Sequence, residues 1–153
     1  MDKIVVSVQG VEKLMANLNP YKASGPDCIS SRVLKELSKE LAPALTAIFQ
    51  SSLSSGTVPA DWRDAHVTPI FKKGEHYDPG NYRPVSLTCV ACKLMEHIVV
   101  SEVMEHFDSH NVLVDNQHGF RKQRSCDTQL LDFTEELTHR LETGKQTDIL
   151  IIG

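Results

Sequence analysis

The chain has 153 residues, 41% of them hydrophobic and 24% charged, with a net charge of −4, four cysteines and one tryptophan. These values suit a globular chain of about one domain. No apolar run approaches the roughly 20 residues of a membrane span, and the opening Met1-Asp2-Lys3-Ile4-Val5-Val6 turns polar too soon for a secretory signal. An intracellular protein, nuclear or cytoplasmic, with its cysteines kept as thiols is expected. The acidic balance weighs mildly against nucleic-acid binding, which usually goes with a basic excess.

In chain order, Val11, Leu14, Met15 and Leu18 recur at helical spacing and are cut off by Asn19-Pro20, which predicts a short amphipathic helix. Glycine and proline in Lys22-Ala-Ser-Gly-Pro-Asp27 predict a loop. Ser30 or Ser31 caps the next apolar run, which Pro43 divides into helices over about 31–39 and 42–54, with the proline in the first turn of the second and Gly56 closing it. Residues 65–71 and 82–87 read as extended segments around the turn Lys72-Lys73-Gly74 and a polar loop, hence a β-hairpin with a basic tip. Leu94, Met95, Ile98, Val99, Val103 and Phe107 form a helical stripe. A loop over 111–119 leads through Gly119 to Ser125 into a further helix with Leu130, Phe133, Leu137 and Leu141, stopped by Gly144. Residues 147–153 read as a buried strand.

Cys89-Val-Ala-Cys92 has metal-ligand spacing but no second pair, so buried thiols are favoured over a zinc site. The seven histidines are scattered, and no nucleophile elbow or phosphate loop is present. Charge clusters say more. Arg63, Lys72, Lys73 and Arg83 surround the hairpin, and Arg121, Lys122 and Arg124 stand together without an acid between them. A solvated surface accounts for such clusters, and so do two loops that hold phosphates.

Five motifs occur in one order: Lys22-Ala-Ser-Gly-Pro-Asp27, Val58-Pro-Ala-Asp-Trp62, Val67-Thr-Pro-Ile-Phe-Lys-Lys-Gly74, Asn81-Tyr-Arg-Pro-Val-Ser-Leu87 and Asn116-Gln-His-Gly-Phe-Arg-Lys122. The set resembles the front part of the reverse transcriptase domain of non-LTR retrotransposons, of the LINE or jockey-like kind, over nearly the whole chain. The first motif of that family ends in a glycine where this chain has Cys28.

The resemblance implies an α+β fold: the mostly helical fingers of a right-hand polymerase with a basic β-hairpin, over about 11–146, and a first palm strand over 147–153, the palm truncated. It implies that Lys72 and Arg83, with Lys73 and Arg63 beside them, hold the phosphates of an incoming deoxynucleoside triphosphate. Pairing of Arg83 with Asp64 or Asp78 is the structural alternative. It further implies that Gln117, Gly119, Phe120, Arg121, Lys122 and Arg124 lie along the template strand. RNA template, DNA primer and magnesium are the ligands of the intact family domain. Gly153 stands where the first catalytic aspartate of the family falls, and two-metal chemistry needs such carboxylates. The 153 residues are therefore expected to hold no metal or other cofactor themselves and to be inactive alone, a reverse transcriptase fragment with no membrane attachment and at most weak nucleic-acid binding. The alternative is a non-catalytic helical interaction module with an exposed apolar stripe on residues 126–142.

Overall fold

The computed structural model describes residues 3–150. In chain order they form helices α1 (Val8–Ala16), α2 (Ser31–Glu36) and α3 (Ser38–Ser55), strands β1 (His66–Phe71) and β2 (Tyr82–Leu87), and helices α4 (Val90–Ser109) and α5 (Cys126–Glu142). Short 3-10 turns lie at Ala60–Arg63 and Pro79–Asn81. The architecture is α+β as expected, mostly helical with one two-stranded antiparallel sheet.

Helix α1 starts ahead of its apolar stripe because the Ser7 hydroxyl accepts from the Gly10 amide and caps it. The break between α2 and α3 falls at Leu37, earlier than the proline predicts. Leu37 takes φ −104° and ψ 26°, which ends α2, and its carbonyl accepts from the Leu41 amide, which starts α3. Pro43 thus stands inside α3 and not in its first turn. Its missing N–H and ring clash are tolerated because the same stretch buries Ala42, Thr46 and Phe49. Gly56 does close α3, at φ 67°.

The chain divides into two compact units, Met1–His106 and Phe107–Gly153. The core of the first is Val11, Met15, Ala42, Phe49 and Leu94, with Leu14, Leu45, Trp62 and Ile98 packed against it. Phe49 and Trp62 meet edge to face at 5.7 Å. Gln50 ties the extended N-terminal segment to α3: its Oε1 accepts from the Val6 amide at 2.9 Å and its Nε2 donates to the Ile4 carbonyl at 3.3 Å.

The loop Lys22-Ala-Ser-Gly-Pro-Asp27 comes up against the residues just ahead of α4 at Gly25. A Cβ at Gly25 would stand 2.4 Å from the Cys89 amide nitrogen and 2.5 Å from the Thr88 carbonyl carbon, so only glycine fits there. A turn follows, in which the Cys28 amide donates to the Gly25 carbonyl and the Ile29 amide to Asp27 Oδ1.

The second unit holds α5, which opens with a capping box between Ser125 and Thr128. Among its described residues His118 is the one buried side chain. The strand expected over 147–153 is not seen in residues 147–150, which carry no regular structure, and 151–153 lie outside the described residues.

Candidate nucleic-acid interface

The hairpin pairs His66 with Leu87, Pro69 with Pro84, Ile70 with Arg83 and Phe71 with Tyr82. Proline cannot donate to a ladder, so Pro69 and Pro84, directly opposed, must occupy a pair whose backbone nitrogens face outward. Each edge of the ribbon is therefore interrupted by a proline at its middle, which blocks addition of a further strand. The period of two places Ile70, Arg83 and, just past the strand, Lys72 on one side. The other side carries Phe71 and Tyr82, whose rings meet at 5.5 Å.

The tip is built, not loose. The Lys72 amide donates to the Asn81 carbonyl at 2.8 Å and extends the ladder by one pair. Asn81 Nδ2 donates to the Glu75 carbonyl and the Tyr82 hydroxyl to the His76 carbonyl. His76 stacks on Phe71 at 3.9 Å. Gly74 is required at φ 89°, where a Cβ would meet Asn81 Nδ2 at 2.6 Å.

Lys72, Lys73 and Arg83 are exposed at this end of the ribbon. Arg63 is not with them: it lies in the 3-10 turn ahead of the opposite end and borders an apolar cleft with Trp62, Met95 and Val99. Among the described residues none of the four cations forms an ion pair, and neither Asp64 nor Asp78 pairs with Arg83. Asp78 instead accepts from the Gly80 amide at 2.9 Å.

The 117–124 loop belongs to the second unit. Gln117, Gly119, Phe120 and Lys122 are exposed, and Phe120 wholly so. Arg121 Nη1 donates to the Val114 carbonyl at 3.1 Å, and Arg124 Nη1 donates to the Asp115 carbonyl while its Nη2 lies 3.9 Å from Asp115 Oδ1. Two of the loop's three cations thus hold its own shape, and Lys122 projects free of any ion pair among the described residues. Sequence gives no sign of this, because an arginine that folds back on a carbonyl seven residues upstream reads like one that faces solvent. It also gives little sign that His118 is buried, with its ring against the Thr128 hydroxyl.

The Cys89 and Cys92 thiols are buried at the start of α4. Burial pushes both upward, Cys92 to about 11 with the neighbouring Glu96 carboxylate adding to the effect. Among the described residues no three His, Cys, Asp or Glu side chains come together as a metal site. Nor is any described helix long and apolar enough to cross a membrane.

Exposed lysines, arginines and aromatic rings are the kinds of side chain with which proteins contact phosphates and bases. The proteins similar to this chain include RNA-directed DNA polymerases, or probable ones, of the non-LTR retrotransposons jockey, BS and X-element, which bears out the resemblance read from the motifs. The RNA-directed DNA polymerase from mobile element jockey of Drosophila melanogaster is 32% identical over 126 residues, 82% of this chain and 14% of the relative. Its counterpart in Drosophila funebris is 29% identical over the same shares, and a protein described as a probable RNA-directed DNA polymerase from transposon BS of Drosophila melanogaster is 24% identical over 96% of the chain and 16% of its own length. The chain thus corresponds to a small segment, about one-seventh, of the curated relatives it matches. No family model matches it.

Proposed function

We propose that the chain is the fingers segment of a retrotransposon reverse transcriptase and supplies contacts to nucleic acid and nucleotide phosphates within that polymerase. Lys72 and Arg83, with Lys73 beside them, take the phosphates of the incoming deoxynucleoside triphosphate. Arg63, at the far end of the ribbon, contributes least. Lys122 and Phe120, with Gln117 and the open backbone at Gly119, contact the template, while Arg121 and Arg124 shape the loop and offer the phosphates their remaining N–H groups. Magnesium, the DNA primer and the chemistry of RNA-directed DNA synthesis belong to the intact domain.

The observation that carries this reading is the cluster of exposed cations at one end of the hydrogen-bonded ribbon, none of them in an ion pair among the described residues. Exposed cations without an ion pair need break none to reach a phosphate, and pre-ordering the loop lowers the entropy lost on contact. Filter binding of the 153-residue chain to single-stranded RNA and to a deoxynucleoside triphosphate at low salt tests it. Lys72→Ala and Arg83→Ala should each weaken triphosphate binding several-fold and lower its salt slope by about one. Variants that bind as the wild type does would remove the two residues from the role.

One observation favours the interaction-module reading: Leu130, Leu131, Phe133 and Leu141 of α5 are exposed. Partner capture through that stripe should persist at high salt, where phosphate contacts fade.

A further inference from the structure

We propose that His118 is a positioning residue that fixes the 117–124 loop in the shape that presents Phe120 and Lys122; this rests on the reading that the loop contacts nucleic acid. His118 is 7% exposed, while the residues on either side of it are open to solvent. Both ring nitrogens are engaged. Nδ1 lies 2.9 Å from the Thr128 hydroxyl, and Nε2 lies 3.1 Å from Asp132 Oδ2 and 3.4 Å from Arg124 Nη1. Thr128 and Asp132 are one turn apart on the same face of α5, so the imidazole grips the helix at two successive turns.

The Thr128 hydroxyl is itself fixed, since it accepts from the Ser125 amide and donates to the Ser125 carbonyl. The ring is thereby attached to the capping box that starts α5. On the loop side, Arg124 Nη1 donates to the Asp115 carbonyl and lies alongside the ring; an Nε2 proton directed at Asp132 leaves that nitrogen no lone pair for the guanidinium, so Arg124 packs beside the ring without bonding to it. His118 is therefore the node at which both ends of the loop and the first two turns of α5 meet.

The loop needs such a node. Phe120 and Gln123 are both held at φ 61°, a left-handed conformation that side chains other than glycine adopt at a cost. No apolar core supports them, for no hydrophobic residue of the second unit is buried among those described. With His118 turned inward, Phe120, two residues on, is turned wholly outward. An exposed aromatic ring beside a free lysine contacts a strand well only if it is already in place, since ordering it on contact would spend affinity.

The test is fluorescence anisotropy of the full 153-residue chain with a labelled single-stranded RNA of mixed sequence at low salt, comparing Phe120→Ala, Lys122→Ala, His118→Ala, His118→Asn, Asp132→Asn and the double variant His118→Ala/Phe120→Ala. The helical signal of each variant is checked by circular dichroism. Phe120→Ala and Lys122→Ala weaken binding if the loop contacts the RNA. His118→Ala then weakens it about as much as Phe120→Ala, roughly tenfold, and the double variant loses no more than either single one, because a ring that is no longer placed has nothing left to lose. Asp132→Asn, which keeps the shape of the side chain, gives a smaller loss, and His118→Asn, which retains a donor toward Thr128, restores part of the binding. A general structural role for His118 would give additive losses and no rescue, and that result overturns the proposal. Wild-type binding by His118→Ala and Asp132→Asn, with Phe120→Ala and Lys122→Ala still impaired, overturns it while sparing the template reading. Wild-type binding by Phe120→Ala and Lys122→Ala overturns both.

Discussion

Cys28 sits at φ 57°, in the turn that follows Gly25 and Pro26. The related polymerase motif has glycine there, and the backbone explains why: a side chain in the left-handed region costs about 1–2 kcal/mol. Glycine would relieve that strain and give back roughly 0.5–1 kcal/mol through the greater freedom of the unfolded chain. The balance favours glycine, so Cys28→Gly should raise the urea midpoint by an amount worth about 0.5–1 kcal/mol. Cys28→Ala keeps the strain and should leave the midpoint where it is. A midpoint lowered by about 0.5–1 kcal/mol for Cys28→Gly would show that the turn stores no strain at this residue, and an unchanged one that the strain only matches the cost of the freer unfolded chain. The departure from the motif was visible in the sequence, but its consequence was not, because only the observed dihedral shows that this position is left-handed.

At the scale of elements, α1 and α5 were readable from their apolar spacing and the residues that stop them, whereas their starts, set by the Ser7 and Ser125 caps, were not read. The boundary between α2 and α3 was misread because proline is a strong signal and Leu37 is none; the chain breaks where the backbone turns and lets burial of Ala42 and Phe49 carry Pro43. The hairpin was legible as two extended segments with a basic tip. Its register was not, although the register is what opposes the two prolines and sets Arg83 across from Ile70. The loop around Gly25 is the element on which this ribbon's base depends, since it lies against Thr88 and Cys89, where β2 hands over to α4. A methyl group there meets backbone and not the end of a flexible side chain, so the neighbours cannot give way cheaply. Gly25→Ala should cost about 2–3 kcal/mol, comparable with severe overpacking of a core. Thermal unfolding followed by circular dichroism measures it, and a loss below the size of an ordinary surface substitution would mean that the loop moves aside.

For the molecule as a whole, the net charge of −4 is an average over the cations gathered on the ribbon and the loop and an acidic remainder. The distribution of burial is more telling. Val11, Met15, Ala42, Phe49 and Leu94 give the first unit an apolar centre, whereas the second unit is organised around one imidazole. Loss of a buried phenylalanine typically costs 3–5 kcal/mol, while helices as short as α5 are marginal without packing even when well capped. The amides of α3 should therefore exchange with solvent only through rare, large openings, and those of α5 through frequent local ones, although the two helices have 18 and 17 residues. Native-state hydrogen exchange of the 153-residue chain reads both at once. Protection in α5 should fall well below that around Phe49, and a bound nucleic acid should raise it by ordering the loop that His118 joins to its first turns. Equal protection in the two helices of the free chain would mean that the polar node and the capping box hold α5 as firmly as an apolar core holds α3.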